Sequence, residues 1–138
     1  MGKINLNVGD EFTFTKTIGE TDVYMFAGIT GDFTMHHINE EYMKTTPFKT
    51  RIAHGALTMG FTSTALGKAV QSTGQTCINV GYDKVRFLKP VMLGETITAS
   101  YTVVSMDEQT GKVYGDIKCT NQNGDVVLVG ANILKIIF

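Results

Sequence analysis

Residues 54–70, HGALTMGFTSTALGKAV, are the stretch of sequence that decides the fold. Four large apolar side chains recur there at helical spacing, separated by glycine, alanine and other small residues: Leu57, Phe61, Leu66 and Val70. A helix that is apolar over most of its circumference must be surrounded by other structure. Its small residues let a neighbouring sheet approach closely. The stretch therefore predicts a central helix that the rest of the chain encloses.

Five strand-like segments flank this helix. One precedes it at residues 11–18, where apolar side chains alternate with threonines, the period of two typical of a half-buried strand. Four follow it, at residues 76–88, 95–106, 112–120 and 126–137, and the connections DEQTG and NQNGD suit antiparallel hairpins. This order predicts an α+β fold, with a five-stranded antiparallel sheet wrapped around one long central helix. That arrangement is the hotdog architecture.

Length and composition restrict the classes of protein. A chain of 138 residues, 43% of them apolar, predicts a single domain over residues 1–138. The net charge is -1, with no run of like charges, so we expect neither nucleic acid nor a membrane surface as a partner. Cys77 and Cys119 lie in strand-like segments and are expected to be reduced core thiols. Without a signal peptide or a membrane span in the sequence, we expect a cytoplasmic protein.

The segment GDFTMHHIN, residues 31–39, reads as a loop between two short helices. Thr21 can cap a helix that Gly31 ends in a left-handed conformation, and Asn39 can cap the next helix. The loop between them carries three titratable side chains: Asp32, His36 and His37. Taken alone, an acid and a histidine five residues apart are a weak pattern, because loops are rich in polar residues that cap helices.

Another polar pair, His54 and Gly55, begins the central helix. The Gly55 N–H, with no side chain to obstruct approach, can donate to a carbonyl oxygen that gains negative charge. Ser63 lies further along, where its hydroxyl can face the same cleft or bond to a backbone carbonyl. Asp32 and His37 can hold one water and move its proton. The set suits the addition of water to a carbon–carbon double bond conjugated to a carbonyl.

Three segments carry a resemblance to a known family: YMFAGITGDFTMHHINEEY, RIAHGALTMGFTST and VRFLKPVMLGETI. They resemble the MaoC-like dehydratases, the (R)-specific enoyl-CoA hydratase branch of the hotdog superfamily. The resemblance implies reversible hydration of trans-2-enoyl-CoA, or another acyl thioester, to the (R)-3-hydroxyacyl product without a metal or redox cofactor. It also implies a homodimer or dimer-based oligomer, since hotdog proteins usually hide a sheet edge against a second copy.

The family motif assigns roles to individual residues. Its catalytic aspartate corresponds to Asp32, and its catalytic histidine to His37, because the five-residue spacing selects the second of the two histidines. The helix-start glycine that polarises the thioester carbonyl corresponds to Gly55, and the supporting polar residue corresponds to Ser63. Residues 34–35, Thr-Met, stand where the family usually has Asn-Pro. The change removes a bracing amide and a ring that fixes φ.

Two other functions remain open. A hotdog acyl-CoA thioesterase would share the fold and the oxyanion donor but would direct water at the carbonyl carbon. A catalytically silent acyl-CoA-binding domain would be consistent with the change at residues 34–35. The paired acid and histidine favour hydration over both.

Two further clusters were considered as binding sites. Lys84, Arg86 and Lys89 alternate with apolar residues, and they are either a patch for the phosphates of CoA or a solvated strand face. A metal site would have to combine the three histidines His36, His37 and His54. Adjacent histidines point in different directions and no cysteine or acidic cluster completes the set, so we expect no metal.

Overall fold

Nine elements of regular structure follow one another in the computed structural model, which describes residues 2–138. Strand β1 (Glu11–Thr17) leads into helix α1 (Glu20–Thr30) and the short helices α2 (Met35–Ile38) and α3 (Glu40–Met43). The long helix α4 (Gly55–Thr73) comes next. The chain ends in four strands: β2 (Cys77–Phe87), β3 (Thr96–Asp107), β4 (Lys112–Thr120) and β5 (Val126–Ile136).

The five strands form one antiparallel sheet in the order β1-β3-β4-β5-β2. Phe14 lies opposite Ala99, and Ala99 lies opposite Cys119, so the same face of three adjacent strands carries apolar side chains. Residues along β3 and β4 alternate between buried and more accessible positions. This is the pattern of a sheet with one face on the core. The predicted α+β hotdog fold is confirmed, with strand ends within one residue of those predicted.

Helix α4 packs against the apolar face of this sheet, on β1, β3, β4 and β2. Phe61, Ala65 and Leu66 are buried in that interface, and Phe61 meets Phe14 edge to face at 6.0 Å between ring centroids. Full burial of a side chain such as Leu66 contributes about 1.5–3 kcal/mol. Although α4 runs for 19 residues, none of the helices within residues 2–138 is long and apolar enough to cross a membrane.

The segments between α1 and α3 differ from the prediction in two details. Helix α1 begins one residue before Thr21, because the Asp22 carboxylate accepts the Gly19 N–H at 2.8 Å and forms the cap there. The segment predicted to be a loop contains the helix α2. Gly31 ends α1 with φ 81°, and the Asn39 side chain caps α3, both as predicted.

The two cysteines are free, as the sequence predicts. Cys119 is fully buried in the core, and burial raises the pKa of its thiol to about 12. Cys77 is partly buried, and burial also raises the pKa of its thiol. Both side chains therefore remain protonated thiols at neutral pH, and such thiols are poor nucleophiles.

Candidate active site

A cavity of about 580 Å³ opens at the N-terminal end of α4. The first turn of α4, the segment before it, and residues 87–91 after β2 form most of its wall. The lining is apolar except for three side chains: His37, Thr58 and Lys89. An apolar cavity of this size with a few polar groups is typical of a small-molecule site.

His37 reaches this cavity from α2 with a defined ring orientation. Its Nδ1 lies 2.8 Å from the backbone oxygen of Ile52. A carbonyl oxygen can only accept, so Nδ1 carries the proton and the neutral ring keeps its lone pair on Nε2. Burial lowers the pKa of His37, which favours that neutral form. The free Nε2 lies 3.9 Å from Oδ2 of Asp32.

Asp32 follows α1 and keeps one carboxylate oxygen available. Its Oδ1 accepts two hydrogen bonds from Thr34, from the hydroxyl at 2.6 Å and from the backbone N–H at 3.2 Å. These bonds lower the pKa of Asp32, so the carboxylate is ionised at neutral pH. The 3.9 Å between Oδ2 and His37 Nε2 is too long for a direct hydrogen bond, but one water about 2.8 Å from each atom can join them.

The change at residues 34–35 therefore preserves the support of the acid. Thr34 supplies a side-chain hydrogen bond to Asp32 in place of the asparagine amide. Met35 occupies the first position of α2, a place where proline is favoured for its fixed φ but is not required. The sequence signal for this hydrogen bond was a hydroxyl residue two positions after an aspartate. Local side-chain hydrogen bonds are common at that spacing.

His54 is part of the same cluster; from the sequence, its side chain could either brace the loop or contact substrate. Its side chain is 2% exposed, and its Nε2 lies 3.0 Å from the backbone oxygen of Asp32. Its ring stacks on that of His37, with 3.8 Å between centroids and 27° between planes. In the sequence, the only signal for this role was the position of His54 next to Gly55. The residues that His54 contacts, Asp32 and His37, lie 22 and 17 positions earlier in the chain.

Asp32, His37 and His54 are also the residues that could hold a metal ion, since one ligand atom of each lies within 4.8 Å of the others. His54 uses Nε2 for the Asp32 carbonyl, so its buried Nδ1 is the ring nitrogen left to act as a ligand. His36 stands apart from the cluster, with its ring edge-on to Tyr42.

Gly55 and Ser63 have different positions relative to the cavity. Gly55 lines it, and among residues 2–138 its N–H has no hydrogen-bond acceptor. The Phe87 ring covers this glycine so closely that an added Cβ would lie 2.8 Å from a ring carbon. Ser63 is exposed and does not line the cavity in the single chain. Of the two, only Gly55 is placed to contact a ligand there.

The three basic residues predicted to form a patch lie apart on the single chain. Lys89 lines the cavity, and its Nζ lies 2.9 Å from the Asp125 carboxylate. Lys84 lines a second groove, also of about 580 Å³, on the sheet face away from α4. The exposed Arg86 donates to the neighbouring Val85 carbonyl. A bulge between residues 83 and 86 breaks the strand alternation that the sequence pattern assumed.

Comparisons with known proteins extend over nearly the whole chain. Residues 5–123 match the family model described as MaoC like domain. The chain is 39% identical over 126 residues to the (R)-specific enoyl-CoA hydratase of Rhodospirillum rubrum, covering 91% of this chain and 85% of the relative. It is 34% identical over 133 residues to the 3-hydroxybutyryl-CoA dehydratase of Methylorubrum extorquens, covering 96% and 82%. The solved (R)-hydratase from A. caviae involved in PHA biosynthesis superposes with a TM-score of 0.88 at 27% identity, covering 96% and 98%.

Proposed function

Because this chain belongs to the MaoC-like domain family, we propose that it is a hydro-lyase that reversibly hydrates trans-2-enoyl-CoA to (R)-3-hydroxyacyl-CoA. One observation carries the proposal: His37 Nε2 and Asp32 Oδ2 face each other across 3.9 Å, next to a cavity that Gly55 lines. The relatives named as an (R)-specific enoyl-CoA hydratase and a 3-hydroxybutyryl-CoA dehydratase support the same reaction and its stereochemistry.

In the hydration direction, the pair activates one water. The ionised Asp32 carboxylate accepts one hydrogen of the water, and the lone pair on His37 Nε2 accepts the other. As the water oxygen bonds to C3 of the enoyl group, its proton passes to His37 Nε2. The resulting imidazolium is stabilised by the Asp32 carboxylate and by the Ile52 carbonyl at Nδ1. General acid–base catalysis of this kind supplies on the order of 10²–10⁴ in rate.

The electron pair of the double bond moves to the thioester oxygen, and the Gly55 N–H is the donor available there. This N–H is at the first position of a 19-residue helix, so the helix dipole adds to the hydrogen bond. The enolate then takes a proton at C2 from the imidazolium, which restores the neutral His37. Addition and protonation together add one water and change no oxidation state. We therefore propose that the reaction uses neither a metal nor a redox cofactor.

The test uses crotonyl-CoA and a longer trans-2-enoyl-CoA. Loss of the enoyl thioester absorbance reports hydration, and a thiol reagent in the same cuvette reports release of CoA. Asp32→Asn and His37→Asn are each expected to lose at least about 100-fold in kcat. His36→Asn is the matched control, because it removes the neighbouring imidazole, which lies outside the cluster. We expect it to retain activity.

The same assay separates the alternatives, and chiral analysis of the product checks the (R) configuration. Release of thiol from a saturated acyl-CoA would identify a thioesterase instead. Tight binding of enoyl-CoA without turnover, unchanged in Asp32→Asn, would identify a silent binding domain. An (S) product would contradict the proposed stereochemistry.

We also propose that the protein forms a homodimer or a dimer-based oligomer through the β2 edge of its sheet. Among residues 2–138, strand β2 pairs with β5 alone and leaves its outer edge open. Ile78, Val80 and Phe87 on it are each 46–57% exposed. An open edge with exposed apolar side chains is a surface that proteins cover. Light scattering after gel filtration should give twice the chain mass or a multiple of it, and Val80→Lys should lower that mass.

Two finer assignments complete the proposal. The exposed Lys89 at the cavity wall is placed to meet a phosphate of CoA, with Asp125 as its partner in the free protein. The two free thiols support a location in the reducing cytoplasm.

A further inference from the structure

The segment 52–54, immediately before α4, contacts both members of the acid–base pair. The Ile52 carbonyl accepts the Nδ1–H of His37 at 2.8 Å. Two residues later, His54 Nε2 donates to the backbone carbonyl of Asp32 at 3.0 Å. The segment itself is fixed between neighbours, because Ala53 N–H donates to Val91 O at 2.7 Å. One short segment therefore holds His37 through a backbone carbonyl and Asp32 through a side chain.

His54 contacts these two residues but not the cavity. It does not line the cavity wall, and its Nδ1 is buried without a hydrogen-bond partner in the described part of the chain. Its ring stacks on that of His37 and also packs against Phe26 of α1, with 4.8 Å between centroids. A substrate in the cavity has no access to either ring nitrogen. The hydrogen bond of its side chain therefore acts on the reaction through Asp32, and its ring acts through the stacked His37.

We propose that His54 is a positioning residue that sets the separation between Asp32 Oδ2 and His37 Nε2. The inference rests on the proposed function of this pair. Asp32 follows the end of α1 and is partly exposed, and its carboxylate accepts hydrogen bonds from Thr34 within the same loop. From outside the loop, His54 holds the backbone carbonyl of Asp32. Without that hydrogen bond, Ile52 would still hold His37, but Asp32 would lose its hydrogen bond to the start of α4. A displacement near 1 Å would then separate the two groups that must share one water.

The experiment measures His37 itself, without substrate. The imidazole of His37, which Asp32, His36 and His54 face, is titrated by NMR in wild type and in two variants. His54→Phe keeps the ring stacking and removes the donor, whereas His54→Gln places an amide N–H near the position of Nε2. The Asp32 carboxylate raises the pKa of His37. Both variants remove the His54 imidazole, which lowers the pKa of His37, so the two are compared with each other. The carboxylate moves away only in His54→Phe, so its titration midpoint should lie at lower pH than that of His54→Gln.

An Asp32→Asn background separates a positioning role from a general effect of the substitution. If His54 acts through Asp32, the midpoints of His54→Phe and His54→Gln should differ in the wild-type background and nearly coincide in Asp32→Asn. The same difference in both backgrounds, or no difference in either, would overturn the proposal. If His54→Phe does not fold, His54→Asn replaces it, because its shorter amide cannot reach the Asp32 carbonyl.

Kinetics provide the second readout. In His54→Phe we expect kcat to fall about 10- to 100-fold, with KM changed little, and His54→Gln should recover most of that loss. A KM effect with unchanged kcat would contradict a positioning role. If wild type hydrates no enoyl thioester at all, the proposed function fails, while the NMR titration still decides whether His54 positions Asp32.

Discussion

Thr34 donates two hydrogen bonds to a single oxygen of Asp32, from its hydroxyl at 2.6 Å and from its backbone N–H at 3.2 Å. Both bonds end on Oδ1, so Oδ2 is left to face His37 Nε2. The two oxygens of one carboxylate therefore have different surroundings: one fixes the side chain, and the other is available for the water of the proposed reaction. This division compensates for the missing asparagine of the family motif.

The first prediction concerns this hydroxyl. Thr34→Val keeps the shape of the side chain and removes the shorter bond, so the carboxylate should lose orientation and its pKa should rise. We expect kcat to fall about 10-fold, as for the loss of a hydrogen bond to a charged group. Thr34→Ser retains the hydroxyl and is the control. Steady-state kinetics at pH 7 measure kcat for both variants. Equal kcat values for the valine and serine variants would contradict the prediction.

The second prediction concerns pH. Burial lowers the pKa of His37 from its ordinary 6.5, and hydration requires the unprotonated ring. The value of kcat/KM should therefore stay constant from neutral pH downward until the pH falls through the lowered pKa, and only then decline. Asp32→Asn removes a charge that raises this pKa, so its residual activity should decline at still lower pH. An acid limb centred at or above pH 6.5 in wild type would show that His37 is not the base.

The third prediction concerns the helix-start glycine. In Gly55→Ala the new Cβ would lie 2.8 Å from the Phe87 ring, so this side chain must shift. The protein should fold normally, but the displaced ring and the methyl group should obstruct the N–H, with a loss in kcat of at least about 10-fold. Melting temperature and kcat are measured together.

The double variant Gly55→Ala/Phe87→Ala distinguishes the two causes of that loss. Removing the ring relieves the collision, so we expect the double variant to be more active than Gly55→Ala alone. If the losses in kcat from the two substitutions simply add, the methyl group itself occupies the place of the thioester oxygen. The explanation by collision between the methyl group and the Phe87 ring would then be wrong.

The fourth prediction compares two lysines. Lys89 lines the cavity, whereas Lys84 lies in a groove on the opposite face of the sheet. Lys89→Ala should raise KM for crotonyl-CoA several-fold, with little change in kcat, because a charge-assisted contact to a phosphate is lost. Lys84→Ala is the matched control. A crotonyl thioester of N-acetylcysteamine lacks the phosphates, so its KM should be the same in wild type and Lys89→Ala. A larger effect from Lys84 would place the CoA phosphates elsewhere.

Local patterns in the sequence predicted most of the fold. The apolar helix now seen as α4 and the alternation in the strands are properties of neighbouring residues, and each was located to within a few positions. Gly31 and Asn39 were identified as a helix end and a cap because their effect is on their own backbone. The cap at Thr21 was wrong, because Gly19 and Asp22 form a competing cap three residues apart.

By itself, the sequence determined the central helix and the five strands, because periodicity is a local property, and its resemblance to the family motif gave the candidate pair Asp32 and His37. Only the tertiary structure decided how that pair is held. His54 reaches Asp32 across 22 positions, and Ile52 reaches His37 across 15, so no local pattern records either contact. Lys84 and Lys89 likewise line different surfaces, because Lys84 lies within β2 and Lys89 follows its end. Such contacts exist only after α4 has packed into the sheet and brought its N-terminal end beside α1 and α2.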